Sequence, residues 1–405
     1  MGCCYISRLP DHILMTIFCK VPITTVAECR YVCKSWIDIL SHPIFANTFK
    51  QSTTSTGATS LVLCVKTDDL YFLEFPQGSE SPFSLNLVAE FVKRPPPEAL
   101  EHNHRLRFVN SCNGLVCVRE VNPLRDSFIH ILNPVTREYI TLPPFEEERE
   151  RHIAVDLCGI GFSPKTNQFK AIRFFAELND LSYDLNCEVY TLGTGTWRNI
   201  GLVPELDMAD WICADYFSFE AFVNGFFHWL ILTRDHTEYD RFIPSLCTFD
   251  FESEKFETMW MPPPEIDDDT YQYPGLGVFN NSIYFAGYDF CHEESYQIWL
   301  MREYGVVESW TKILVIELDW ARKCFPYDFC FILAKLFENG DLLLLHQGDT
   351  FLYNSRSKIF TKLDAPEIKS SIRAIVHEPS FVSLKAIVKD DSSCEVRKLN
   401  CRGAN

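Results

Sequence analysis

The chain has 405 residues, 47% of them hydrophobic and 14% aromatic, enough for a sizeable core and too apolar for a disordered chain. Its 37 Lys+Arg stand against 55 Asp+Glu, a formal net charge of −18, which repels phosphate backbones, so no nucleic-acid partner is expected. No apolar run is long enough for a membrane-crossing helix, and Arg8 and Asp11 interrupt any signal-peptide core.

Charge and composition divide the chain near residue 50. Residues 1–50 hold five basic and three acidic side chains, whereas the remainder carries all the excess negative charge. The expected domains are a helical unit over 1–50, a Ser/Thr linker over 51–60, an all-β domain over 61–390 and a C-terminal tail over 391–405. In the first unit apolar residues recur at Ile13, Leu14, Ile17 and Phe18, a helical spacing, with Pro10 suited to the first turn. Pro22 marks a break, Thr24 or Thr25 is placed to cap the next helix, and that helix carries Val26, Cys29, Arg30, Val32, Cys33 and Trp36. So few helical residues with so much apolar surface are expected to bury one face on a partner.

The run Leu9-Pro10-x-x-Ile13-Leu14-x-x-Ile17-Phe18, then Val21-Pro22, Arg30-x-Val32-Cys33-Lys34-x-Trp36 and Pro43-x-Phe45 resembles an F-box over residues 7–50. His12 and Cys29 depart from it, where an acid and an aromatic are common. The resemblance implies docking to a Skp-type adaptor and, through it, to cullin. The residues it assigns to that contact are Leu9, Pro10, Ile13, Leu14, Ile17, Phe18, Pro22, Val32 and Trp36, some of which serve the core instead, Trp36 foremost as a dual case.

Beyond residue 58 short runs of Val, Ile, Leu, Phe and Tyr alternate with turn residues, the pattern of an all-β fold. A unit recurs: apolar strand, tight turn, strand with an aromatic near its start. The anchors Tyr139, Trp197, Phe256, Trp310 and Phe360 are 58, 59, 54 and 50 residues apart. An earlier hairpin precedes each, with turns at Asn113-Gly114, 163–167, Asn224-Gly225, Asn280-Asn281 and Asn339-Gly340. Five four-strand units, with leftover strands at 59–75 and 372–388 completing a shared sheet, predict a closed β-propeller of six blades. Cys112-Asn-Gly-Leu-Val116, Leu132-Asn-Pro-Val-Thr-Arg137, Gly161-Phe-Ser163 and 301–310 resemble the F-box-associated, kelch-like domain of plant F-box proteins. The paired glycines of standard kelch repeats are missing, so the likeness is one of architecture. It implies a substrate-recruiting role: the recognition subunit of a Skp–cullin–F-box ubiquitin ligase, bringing a target protein to ubiquitination and proteasomal degradation. Within that class it admits a pollen self-incompatibility factor, whose family targets basic ribonucleases. A non-degradative adaptor-bound scaffold and a ligand-sensing propeller are the alternatives.

The alternating strands of such a propeller send the tight turns to one rim and the longer links to the other. Eight predicted links (119–127, 143–153, 176–186, 202–216, 233–241, 261–275, 288–295 and 317–329) hold 26 Asp+Glu against 8 Lys+Arg. Candidate target-contacting residues on this rim are Glu146, Glu147, Glu148, Trp211, Tyr216, Tyr239, Asp267, Asp268, Asp269, Tyr271, Tyr288 and Trp320. Acid beside aromatic suits a basic protein, by steering and by cation–π contact; solvated loops are the plainer reading.

Catalytic motifs are missing: the sequence has no G-x-S-x-G, no H-E-x-x-H and no phosphate loop. A receptor subunit needs none, so no catalytic residue and no cofactor are expected. The 17 cysteines form no C-x-x-C pair, so no zinc site is expected; reduced buried thiols in a cytoplasmic or nuclear protein are. His102-x-His104 and Asp267-Asp268-Asp269 read as solvated polar runs rather than metal sites. Met1-Gly2-Cys3-Cys4 resembles a dual-acylation start, with Gly2 to carry myristate and Cys3 or Cys4 palmitate, but Ile6 stands where Ser or Thr is usual. Membrane association is expected only if that terminus is acylated.

Overall fold

The structure, a computed structural model, describes residues 9–56, 60–64, 69–74, 84–90, 105–121, 128–144, 152–178, 183–207, 221–234, 242–259, 271–279, 281–289, 295–317, 331–337, 339–346, 349–363 and 373–399. Four helices come first: α1 (Asp11–Phe18), α2 (Ile23–Cys29), α3 (Lys34–Leu40) and α4 (Pro43–Thr56). Pro10 is the N-cap of α1, and its carbonyl accepts from the Ile13 and Leu14 N–H groups at 2.9 and 3.1 Å. The single helix expected through Trp36 is two helices, divided at 30–33. The first starts directly after Pro22, with no side-chain cap from a threonine.

The expected linker over 51–60 is helical as far as Thr56. Thr48 Oγ1 donates to the Ile44 carbonyl at 2.8 Å and Ser52 Oγ to the Phe49 carbonyl at 2.7 Å, so polar side chains bond back onto the helix instead of breaking it. Phe45 and Phe49 on the inner face then hold α4 in the core.

Among the described residues the β region forms six sheets. The first joins β1 (Ser60–Cys64), β2 (Asp69–Glu74) and β3 (Ser84–Glu90) to a strand from the far end of the chain. The second holds β4 (Arg105–Cys112), β5 (Leu115–Val121), β6 (Phe128–Asn133) and β7 (Glu138–Thr141), and the third β8 (His152–Ser163), β9 (Gln168–Leu178), β10 (Tyr183–Thr191) and β11 (Trp197–Asp207). The fourth holds β12 (Ala221–Val223), β13 (Phe226–Arg234), β14 (Phe242–Asp250) and β15 (Lys255–Met259). The fifth holds β16 (Tyr271–Phe279), β17 (Ser282–Asp289), β18 (Ser295–Met301) and β19 (Trp310–Glu317). The sixth holds β20 (Ile332–Leu336), β21 (Leu342–His346), β22 (Asp349–Asn354) and β23 (Ile359–Leu363). The ring closes where β24 (Arg373–His377) pairs antiparallel with β1, matching Val62 to Ile375. Closure through the two ends of the chain removes a pair of free strand edges.

The turn chemistry repeats from blade to blade. In the second, fourth and sixth blades the turn before the outermost strand opens on an Asx residue. Asn133 Oδ1 accepts from Val135 and Thr136, the Asp250 carboxylate from Glu252 and Ser253, and Asn354 Oδ1 from Arg356 and Ser357. Each of these turns ends on a residue of positive φ: Arg137, Glu254 and Lys358, at 55–56°. The side-chain bond replaces a backbone bond and so stabilises a turn that would otherwise call for glycine. All five sequence anchors fall at the start of an outermost strand: Tyr139 in β7, Trp197 in β11, Phe256 in β15, Trp310 in β19 and Phe360 in β23.

Apolar layers fill the spaces between blades. Phe227, Trp229, Phe249 and Phe251 pack against Phe174 and Val189 between the third and fourth blades. Tyr296, Phe331, Leu333 and Leu344 pack between the fifth and sixth. The helices share one of these layers. Leu14, Phe18, Val26, Leu40, Phe45 and Phe49 form a continuous core with Val116, Val118, Leu132 and Val135 of the second blade and with Phe381 and Leu399. The expected tail over 391–405 is therefore part of the fold, as far as the described residues extend. It forms β25 (Arg397–Lys398), a fifth strand on β7 with Arg397 opposite Tyr139.

Two buried histidines make stability depend on pH. His228 Nδ1 donates to the Ala221 carbonyl at 3.2 Å, leaving Nε2 to accept from the Tyr304 hydroxyl at 2.9 Å. Burial lowers its pKa from 6.5 to about 4, and burial lowers that of His377 to about 3. The unfolded chain takes up these protons below pH 6.5 and the folded chain does not. Stability is thus complete above pH 6.5 and falls as the pH drops towards 4, by about 1.4 kcal/mol per pH unit for each histidine. Calorimetric unfolding at pH 5.5 should accordingly take up about two protons at these sites. Uptake near zero would show that both are solvated.

Candidate functional site

Two surfaces remain after the core is accounted for. The first lies on the helices. Leu14 and Phe18, both 3% exposed, point into the core, so these two of the nine residues expected at the adaptor contact are structural. Trp36 is half-buried against Phe18, ring centroids 5.0 Å apart and edge-on, which fits its dual reading. The outer side of α1 carries Ile13 and Ile17, exposed by 40 and 42%, and Leu9, 36% exposed, precedes the helix beside its N-cap Pro10. The i, i+4 spacing puts Ile13 and Ile17 in one stripe. Pro10 and Pro22 are exposed, as is Val32 at 63%. The sequence reading omitted Tyr31, Ile37 and Ile44, which are also exposed. For Ile44 the helical phase held a signal, since it lies one place before buried Phe45; Ile37 shares its face with buried Leu40 three places on, and Tyr31 lies between α2 and α3, so phase could not mark either.

This helical unit sits on the tight-turn rim of the propeller. Arg30 Nη2 is 4.0 Å from Glu138 Oε1, and the Arg137 guanidinium lies 5.6 Å above the Tyr31 ring. Glu138 is buried and gathers several groups. Its carboxylate also takes Lys398 Nζ at 2.9 Å and the Leu384 N–H at 3.2 Å. Buried charge of this kind is tolerated when it is paired and hydrogen-bonded.

The second surface is the opposite rim, where the longer links join strand ends. Glu146, Glu147, Glu148, Trp211, Tyr216, Tyr239, Asp267, Asp268, Asp269 and Trp320 lie outside the described residues, as do Gly2, Cys3, Cys4, His102 and His104. The strand ends themselves are placed. In the third blade Asp184 is opposite Glu177 on one side and Asp207 on the other, so three acidic positions share one row at the rim. In the fifth blade Tyr271 is opposite Asp289, the neighbouring pair is Gln272 with Tyr288, and Ser295 is opposite Glu317. Register thus places the predicted Tyr271 and Tyr288 in adjacent cross-strand pairs at this rim. Among the described residues no group of three His, Cys, Asp or Glu side chains is arranged to hold a metal ion, and no helix is long and apolar enough to cross a membrane.

The comparisons with known proteins match both regions. The F-box domain family covers residues 6–47, and the F-box associated beta propeller domain family covers residues 62–395. The chain belongs to the F-box protein family with an associated β-propeller. Relatives in Arabidopsis thaliana extend over nearly the whole length. The F-box protein At3g07870 is 24% identical, with 92% of this chain and 91% of that protein covered. The F-box protein CPR1 is 22% identical over 93% and 89%, and the F-box/kelch-repeat protein At3g23880 is 22% identical over 88% and 93%. F-box proteins serve in general as non-catalytic substrate-recognition subunits of Skp–cullin–F-box ubiquitin ligases, with the F-box as the adaptor-binding module.

Proposed function

We propose that this F-box protein docks a Skp-type adaptor through Leu9, Pro10, Ile13, Ile17, Pro22 and Val32, with Trp36 as a partial contact, and recruits a basic target protein on the opposite rim. The observation that carries the first half is the exposed Ile13-Ile17 stripe, with exposed Leu9 just ahead of it, held outward because Leu14 and Phe18 fix the other side of α1 in the core. Exposed apolar side chains in a row mark a surface that a partner covers. The recruiting half rests on the acidic excess of the links and on the Glu177–Asp184–Asp207 row. The work done is proximity: a bound target is held where another enzyme transfers ubiquitin. Cys19, Cys29, Cys33, Cys187 and Cys394 are free thiols, which fits a reducing compartment, cytoplasm or nucleus.

Affinity purification of the tagged intact chain should recover adaptor and cullin, and lose both when Leu9→Ala is combined with Pro10→Ala. Target capture should weaken with added salt, since long-range steering is screened beyond about 8 Å at physiological ionic strength. Capture of a basic bait that is insensitive to salt would remove the acidic-rim reading and leave the adaptor reading standing.

A further inference from the structure

The ring is already closed at His377 by β24, yet the described chain continues for 22 residues. These residues do not start another blade. They run along the tight-turn rim of the second and third blades and reach the helices on the way. Phe381, 1% exposed, wedges between Phe45 and Phe49 of α4, with ring centroids 5.1 and 5.0 Å away. On either side of it the backbone is held by one residue: the Asn133 amide donates to the Ser380 carbonyl at 2.9 Å and to the Val382 carbonyl at 2.7 Å.

The fit against the propeller is close enough to demand glycine. A Cβ at Gly114 would stand 2.0 Å from Ser380 Cβ, and one at Gly193 would stand 2.8 Å from the Ile387 carbonyl oxygen. Both glycines also have positive φ, +85° and +99°. Further along, the short helix α5 (Leu384–Ile387) starts at Ser383 and presents its Leu384 N–H to Glu138. Asp391 and Ser393 both bond the buried Tyr190 hydroxyl of the third blade. The segment ends as β25, with Lys398 on Glu138 and the Leu399 N–H on the Arg137 carbonyl at 2.9 Å.

We propose that residues 380–399 are a strap that fixes the orientation of the adaptor-docking helices on the propeller, with Phe381 as its positioning residue. The inference rests on the adaptor-docking reading for its purpose, but not for its geometry. A hinged F-box would sweep a bound target over a wide volume. A strapped one presents it at one place relative to the adaptor, and so at one distance from the ubiquitin-transfer machinery. The ring contacts of Phe381 are with Phe45 and Phe49 of α4.

The test is hydrogen exchange on the intact chain, free and bound to a Skp-type adaptor, comparing wild type with Phe381→Ala. Exchange over α1–α4 should rise about tenfold or more, while the strands of the third to fifth blades keep their protection. Adaptor affinity should stay within about threefold, because the docking stripe is untouched. Small-angle scattering of the complex should show a broader distribution of shapes. Unchanged exchange over α1–α4, or loss of protection throughout the propeller, would overturn the strap. If Phe381→Ala does not fold, Phe381→Leu and Tyr190→Phe replace it. Tyr190→Phe cuts the tether on the third blade, so exchange over 380–399 must rise in it. If the wild-type chain binds no adaptor, the ligase reading fails, and the exchange data still decide the strap.

Discussion

Charging the outer stripe of α1, by Ile13→Glu with Ile17→Glu, will lower the affinity of the intact chain for a Skp-type adaptor by about a hundredfold or more, on the scale of two hot-spot side chains. Both side chains are about two-fifths exposed, so the fold has little to lose; exposed substitutions of this kind usually stay within about 0.5 kcal/mol. In the docked state the same carboxylates would be stripped of water against an apolar surface with no partner, which is costly. The neighbouring positions supply the contrast. Leu14→Ala and Phe18→Ala empty a core shared with the propeller, and each should cost about 2–5 kcal/mol of stability. Two classes of variant thus lose adaptor for different reasons, and thermal denaturation separates them. The stripe variant keeps its melting temperature and loses binding, measured by titration calorimetry or by pulldown with purified adaptor. A stripe variant that binds adaptor normally would move the docking site elsewhere on the helices and disprove the assignment.

How far the sequence alone reached depends on the range of the interactions. Local signals survive translation into structure. The 54–59-residue recurrence of Tyr139, Trp197, Phe256 and Trp310 located the outermost strands, because each aromatic follows a turn whose chemistry is set within a few residues. Ring closure was also legible, from leftover strands at both ends of a closed architecture. The failures came where a distant contact overrides local preference. The Ser/Thr tract after Phe49 has the composition of a linker, yet its helix continues, since Phe49 is anchored by Phe381, a residue 332 positions away. The residues after 390 read as a tail because nothing local shows that Tyr190 waits for Asp391 or β7 for β25. On α1, spacing alone grouped Ile13, Leu14, Ile17 and Phe18 as one apolar set. Only the placement of the second blade decides that Leu14 and Phe18 are inside and Ile13 and Ile17 outside.

Gly161→Ala should cost the propeller about 1–3 kcal/mol, a large effect for one methyl group, because nothing at that position can yield. Gly161-Phe-Ser163 stood out in the sequence only as a point of likeness to other F-box proteins; the physical reason lies in the next blade. Gly159 and Gly161 are two apart on β8 and so face the same side of the sheet. A Cβ at Gly159 would lie 2.2 Å from the Phe227 ring and one at Gly161 2.1 Å from the Phe251 ring, and both rings are wholly buried. Neither glycine has a positive φ, so backbone freedom is not the issue; the bare backbone is the floor on which two phenyl rings of the fourth blade rest. Phe251 has no room to withdraw, with Phe222 and Phe249 at 5.8 and 5.2 Å. The added methyl must therefore push the third and fourth blades apart, and interiors packed to crystal density do not accommodate that cheaply. The melting temperature of Gly161→Ala should fall while its adaptor affinity, measured below the transition, stays at the wild-type value. A second substitution supplies the decisive comparison. Phe251→Leu in the wild-type background removes ring atoms and destabilises, whereas in the Gly161→Ala background it relieves the clash, so the two changes together should cost less than their sum. Additive costs, or a Gly161→Ala chain as stable as wild type, would mean that the blades are not held in contact at this strand.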